Sequence, residues 1–234
     1  MARKVQLFIR NERGGGAKMF KFLRNFTIIF LLAADVSAAL TCSFLFSNVA
    51  GLEKPLKIQE AFRDLNANRS VIATSSIQFS KSEIDSIAAT ITNNSERGDI
   101  IVIRIKEGSV RISQNSNLFP ASVQMKLNNF TSEILRQFKI QRKKPIMNGT
   151  IILRVTSDSS GPKVEGFHNH ASPHLIDAVD FVWTLEGPGT LIENNQTVVS
   201  VPTNVIIFFG MNVMHGSPDS SARRVLVLGD FETN

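Results

Sequence analysis

Four histidines carry most of the chemical potential of this chain, and all of them lie late in it: His168, His170, His174 and His215. Three sit in the run Phe167-His168-Asn169-His170-Ala171-Ser172-Pro173-His174. On an extended strand, residues two apart point to the same face, so His168 and His170 can present two imidazoles to one ion. A third ligand then has to come from a distant strand. His215 is the histidine outside the run, with His174 as a fourth candidate. Neutral imidazole suits iron, zinc, copper or nickel, and the spacing alone does not choose between them. Arg223 and Arg224 follow His215, and Val225–Leu228 then reads as a strand that puts Arg224, Leu226 and Leu228 on one face. An arginine turned into a protein interior needs an anion, and a carboxylate held by both arms of the guanidinium is the natural partner. An exterior salt bridge is the alternative for either arginine.

The elements that must hold these residues change character along the chain. Lys54–Asn68 has apolar residues at helical spacing, with Leu56, Ile58, Ala61, Phe62 and Leu65 on one face. Ser80 followed by Glu83 is a capping box that opens a helix to about Asn93. Gly98-Asp99 is a turn, Ile100–Ile105 a strand, and Leu118–Phe138 contains a further amphipathic helix. After Ile146 the texture turns to short β-branched and aromatic runs: Gly149–Thr156, Asp180–Leu185, Thr197–Val201, Asn204–Phe209 and Arg224–Leu228. Gly-, Pro- and Asn-rich turns separate them, among them Glu186-Gly187-Pro188-Gly189 and Asn194-Asn195. Helices first and regularly spaced short strands after predict an α+β body, with helices buttressing a β-sandwich or barrel core. The expected divisions are a leader over 1–52, a mainly helical buttress over 53–145 and a β-rich metal-site core over 146–234.

The leader accounts for the charge. Residues 1–24 hold seven Lys/Arg against the single acid Glu12, which equals the whole formal net charge of +6. Beyond Leu52 the chain is near neutral, with no basic stripe of the kind nucleic acid requires, and nucleic-acid binding is not expected. The apolar run Phe26–Ala34 follows the basic cluster, and Val36-Ser37-Ala38 offers a small-x-small cleavage site, with Asn48-Val49-Ala50 a weaker one. A signal peptide or membrane anchor is the expectation, with a periplasmic or inner-membrane body that meets the membrane only through this segment. If the leader is not a targeting signal, the location is cytoplasmic. The one cysteine, Cys42, lies in the leader, so the body contains neither a disulfide nor a thiolate metal site.

With these residues in hand, the late part of the chain resembles the double-stranded β-helix of the iron(II)/2-oxoglutarate-dependent dioxygenase superfamily. That pattern is H-x-D, a distal histidine, and an arginine about ten residues later. More narrowly, Phe167-His168, Glu186-Gly187-Pro188-Gly189-Thr190, His215-Gly216-Ser217-Pro218 and Arg224 through Asp230 are similar to an uncharacterised bacterial family with F-H-x-D, G-P-G-T, H-x-S-P and R-L-L-L motifs. The resemblance spans roughly residues 150–232. It implies Fe(II) on His168, His170 and His215, 2-oxoglutarate as a candidate cosubstrate with its carboxylate on Arg224 or Arg223, and the Glu186–Thr190 loop at the mouth of the site. One departure is plain: His170 stands where the pattern has aspartate, which makes the metal set three histidines, as in cupin-type dioxygenases. A non-haem iron oxygenase acting on a small molecule or a protein side chain is therefore the leading expectation. A non-catalytic cupin-like metal or ligand binder of the cell envelope is one alternative. A zinc hydrolase, with Glu165 or Asp177 as general base, is another.

Overall fold

A computed structural model describes residues 49–65, 69–143, 145–156, 178–194, 197–210, 212–218 and 222–233. Every described residue belongs to one compact unit, Ser47–Asn234. The histidine run 168–174, Glu165, Asp177 and the basic leader lie outside the described residues.

Three helices form where the sequence pattern asks for them. The segment at 54–68 is shorter than its periodicity suggests: strand β2 (Leu56–Lys57) takes the first part and α1 (Ile58–Asp64) the rest. Helix α2 (Lys81–Asn94) starts at the expected box, with Glu83 N–H donating to Ser80 Oγ at 3.3 Å and Ser80 N–H donating to Glu83 Oε2 at 2.8 Å. These bonds satisfy backbone donors that a helix start otherwise leaves unpaired. Helix α3 (Ala121–Gln137) carries Val123, Leu127, Phe130 and Ile134 on its buried face and runs into a π-helical turn, Phe138–Arg142.

The strands assemble as two sheets. Besides β2 they are β1 (Val49–Ala50), β3 (Ser70–Thr74), β4 (Asp99–Lys106), β5 (Ser109–Ile112), β6 (Ile146–Thr156), β7 (Ala178–Glu186), β8 (Leu191–Asn194), β9 (Thr197–Ser200), β10 (Ile206–Phe209), β11 (His215–Gly216) and β12 (Arg224–Thr233). Among the described residues the larger sheet has the order β1-β3-β10-β7-β12-β6-β4-β5, with β2 also paired to β3, and the smaller has the order β11-β8-β9. In chain order the strands alternate between sheets, from β7 to β8-β9, back to β10, across to β11 and back to β12. This winding is that of a double-stranded β-helix.

Each face of the large sheet has its own role, because side chains alternate along every strand. Ile151, Leu153 and Val155 of β6, Phe181 and Trp183 of β7, and Val225 and Val227 of β12 pack with the helices in one core. Phe130 of α3 sits 5.0 Å from Trp183 and 5.3 Å from Phe181, ring centroid to ring centroid. Burying such a ring stabilises the fold by roughly 2–3 kcal/mol. A second core holds Ile72, Ile207 and Phe209 of the large sheet with Ile192, Val201, Val205 and Val213 from the smaller sheet and its connections.

Candidate functional site

His215 is placed by both sheets. It opens β11, where it pairs with Ile192 of β8. Its ring stacks on Phe209 at 4.1 Å between centroids and 21° between planes, and only 6% of the residue is exposed. The turn joining β10 to β11 is closed by the Val213 N–H donating to the Gly210 carbonyl at 3.0 Å. That turn aims the Val213 carbonyl at the imidazole, with Nδ1 3.1 Å from it. A carbonyl only accepts, so this bond puts the proton on Nδ1 and the lone pair on Nε2. Metal-ligating histidines are commonly oriented in this way.

Arg224 is the first residue of β12, opposite Thr156 of β6, and 3% exposed. Its Nε donates to the Pro188 carbonyl at 2.7 Å and its Nη2 to Thr190 Oγ1 at 3.3 Å. Burial pulls its pKa down to about 10, so it remains a cation at neutral pH. Among the described residues no carboxylate pairs with it, although a buried guanidinium without an anion is costly.

The Glu186–Thr190 loop explains why this arginine stands where it does. Gly187 has φ +85°, and a Cβ there would lie 2.3 Å from the Arg223 carbonyl and 2.9 Å from Arg224 Cγ. Its carbonyl accepts from Thr203 Oγ1 at 2.8 Å. A Cβ on Gly189 would fall 1.5 Å from the Val201 carbonyl. Both glycines let the loop close against β12 and the β9–β10 connection, and the Pro188 carbonyl and Thr190 hydroxyl are thereby presented to Arg224. Sequence reasoning set this loop at the rim of the site; its contacts hold the guanidinium itself. A backbone acceptor leaves no mark in the sequence, and the glycine spacing was the available signal. Thr190 also ties the two residues together, since it lies two positions, about 7 Å along the strand, from Ile192, the partner of His215.

Arg223 takes the exterior alternative. It donates to Glu186 Oε1 from Nε at 2.8 Å and from Nη2 at 2.5 Å, and to Asp85 Oδ1 at 2.8 Å. Lys81 joins the same carboxylates, at 2.5 Å from Asp85 and 3.1 Å from Glu186. Lys81 and Arg223 hold Asp85 below the usual carboxylate range. For Glu186 burial pushes the other way, and Arg223 and Lys81 outweigh it. This cluster ties the start of α2 to the ends of β7 and β12.

Among the described residues no three metal-binding side chains come together, and His215 is the one described histidine. Among the described residues no helix is long and apolar enough to cross a membrane.

The body of this chain is therefore a double-stranded β-helix with a helical buttress, carrying a buried histidine and a buried arginine on consecutive strands. Solved structures share that fold. A prolyl-4-hydroxylase from Pseudomonas putida superposes with a TM-score of 0.51 at 11% identity, over 76% of this chain and 99% of that one. A prolyl 4-hydroxylase from Phytophthora capsici gives 0.52 at 12% identity, over 76% of this chain and 63% of the other. A bsmA homolog from Methylobium petroleophilum gives 0.52 at 12% identity, over 79% and 96%. At these identities the likeness is one of fold. No protein-family model matches the chain, and no curated protein does.

Proposed function

We propose that this protein is a non-haem iron oxygenase that uses 2-oxoglutarate, with His168, His170 and His215 as metal ligands and Arg224 as the anchor of the cosubstrate carboxylate. The observation that carries the reading is the pair of buried polar groups on consecutive strands. One is an imidazole whose Nδ1–H is committed to a carbonyl; the other is a guanidinium without a described counter-charge. Both fit an iron and carboxylate set, and the shared fold with prolyl 4-hydroxylases supports it. His168 and His170 enter on the sequence pattern.

Bound Fe(II) would supply the oxygen chemistry, and the chain's own residues do the rest. The Val213 carbonyl fixes which His215 nitrogen can bind a metal, and Phe209 keeps that ring from turning and shields one face from water. The Pro188 carbonyl and Thr190 hydroxyl orient the Arg224 guanidinium, leaving its remaining N–H groups for a carboxylate. Arg223, spent on Glu186 and Asp85, is not part of this assignment. The basic flank and apolar run within 1–52 support export or membrane anchoring of this body.

The test is oxygen consumption by the full chain loaded anaerobically with Fe(II), with and without 2-oxoglutarate, beside a His215→Ala variant. Uptake stimulated by 2-oxoglutarate and lost with His215→Ala supports the proposal. Equal iron retention by His215→Ala, or uptake indifferent to 2-oxoglutarate, refutes it. Iron retained without any uptake would instead mark a binding protein.

A further inference from the structure

The far edge of the large sheet, away from Arg224, has a composition that neither folding nor the proposed chemistry uses. Among the described residues strand β5 pairs only with β4, and all four of its residues are exposed. The two strands are joined by the two-residue turn Glu107-Gly108, with φ of +52° and +73°. Ser113 N–H donates to the Val102 carbonyl at 2.9 Å, which makes that pair, and by alternation Arg104/Arg111 and Lys106/Ser109, the inward hydrogen-bonded ones. The N–H and C=O groups of Val110 and Ile112 therefore point outward along an edge that no other described strand covers.

The two faces of this edge differ in chemistry. Val110 and Ile112, on one face, are 44% and 55% exposed. On the other, Arg104 and Arg111 are direct cross-strand partners, and Lys106 lies on the same side two residues on. Like charges set opposite each other oppose sheet formation. Among the described residues none of the three has a carboxylate partner. The next acid in the row is Asp230, beyond Thr150 and about 10 Å from Arg104 at ordinary strand spacing. It is already occupied by the Thr150 backbone N–H at 3.0 Å and by the Thr150 hydroxyl.

We infer that β5 is a docking edge for an extended, acidic polypeptide strand. The strand would pair through the outward groups of Val110 and Ile112 and set alternate carboxylates against Arg111, Arg104 and Lys106. Alternation fixes the motif: acid, apolar, acid, apolar, with the apolar residues beside Val110 and Ile112. A second copy fits poorly, because antiparallel β5–β5 pairing brings Arg111 up to its own counterpart. The basic leader of this chain, with its net charge of +6 over residues 1–24, is repelled for the same reason. An edge guarded only against aggregation would not pair its charges with two exposed apolar side chains.

Fluorescence anisotropy with the full chain and a labelled seven-residue peptide alternating Glu and Val tests this. Saturable binding is expected, at least about tenfold weaker for a Lys-Val peptide, and lost when the peptide is N-methylated at alternate residues along its pairing edge. The double variant Arg104→Glu/Arg111→Glu should reverse the preference and bind the Lys-Val peptide, a gain that misfolding cannot produce. The inference is overturned by equal binding of both peptides, by an N-methylated peptide that binds as well, or by no saturation up to about 1 mM. It is also overturned if sedimentation shows the chain dimerising through β5.

Discussion

Replacing Arg224 with methionine separates a guanidinium that stabilises the fold from one that waits for a ligand. Methionine keeps much of the side-chain length and removes the charge. In the ligand-free protein two effects oppose each other. The Pro188 carbonyl and Thr190 hydroxyl lose their donors, at about 1–3 kcal/mol, while a buried cation without a described carboxylate is removed, a gain of similar size. Apo stability should thus stay within about 1 kcal/mol of the parent. Ligand response should change far more. At one hundred times its dissociation constant a cosubstrate adds about 2.7 kcal/mol, or roughly 5–10 °C in Tm for a chain of this size. Losing a charge-assisted carboxylate pair costs about 3 kcal/mol, close to 150-fold in affinity, which reduces that gain to about 0.3 kcal/mol and under about 1 °C. Thermal unfolding of the anaerobic, metal-loaded protein with and without 2-oxoglutarate measures both quantities. A variant still stabilised by 2-oxoglutarate as the parent is would refute the carboxylate anchor. An apo variant destabilised by more than about 3 kcal/mol would show that the arginine already has its anion within the fold.

Two further substitutions test how the site is held. Gly189→Ala should cost more than about 3 kcal/mol, read as a fall in the urea midpoint, because its Cβ would overlap the Val201 carbonyl at 1.5 Å. Gly108→Ala is the contrasting case: its φ of +73° is positive, unlike that of Gly189, but its Cβ meets nothing nearer than 3.6 Å, so about 1–2 kcal/mol of backbone strain is all it should show. Glu83 gives the pH dependence. Burial pushes its pKa up, but Lys126 at 2.5 Å, the Ser80 N–H and Ser122 bring it down to about 2 from 4.5. A carboxylate depressed in the folded state contributes stability above pH 4.5, and that contribution drains away as pH falls from 4.5 towards 2. With a side chain only 12% exposed, the contribution is on the order of 2 kcal/mol. Glu83→Gln should flatten the loss of stability between pH 6 and pH 3; an unchanged acid limb would remove Glu83 from the account.

Much of this architecture can be read in the residues because local and tertiary demands agree. Ser80 and Glu83 cap α2 as their spacing requires, and the β-branched runs at 149–156, 204–209 and 224–228 fall on β6, β10 and β12. Strands β3, β5 and β8 escape such a reading. Ser70–Thr74 is apolar on both faces because it lies between two cores, so it shows no alternation. Ser109–Ile112 alternates but exposes both faces, and Leu191–Asn194 is four residues between turns. The arginine pair was ambiguous for a physical reason. Adjacent residues on a strand take opposite sides, and only the partners decide which is which: Glu186 and Asp85 for Arg223, the Pro188 carbonyl and Thr190 for Arg224.

Strand β1 sets a limit on how the front of the chain can be trimmed. Val49 and Ala50 lie beside β3 in the large sheet, 2% and 7% exposed, and Gly51 turns directly after them at φ +76°, where a Cβ would lie 2.4 Å from the Ile72 carbonyl. A peptidase acting after Ala38 would spare this short rail. One acting after Ala50 would strip it away, bare one flank of Ile72 and Val71 to water, and leave a mature form lacking the outermost piece of its own sheet.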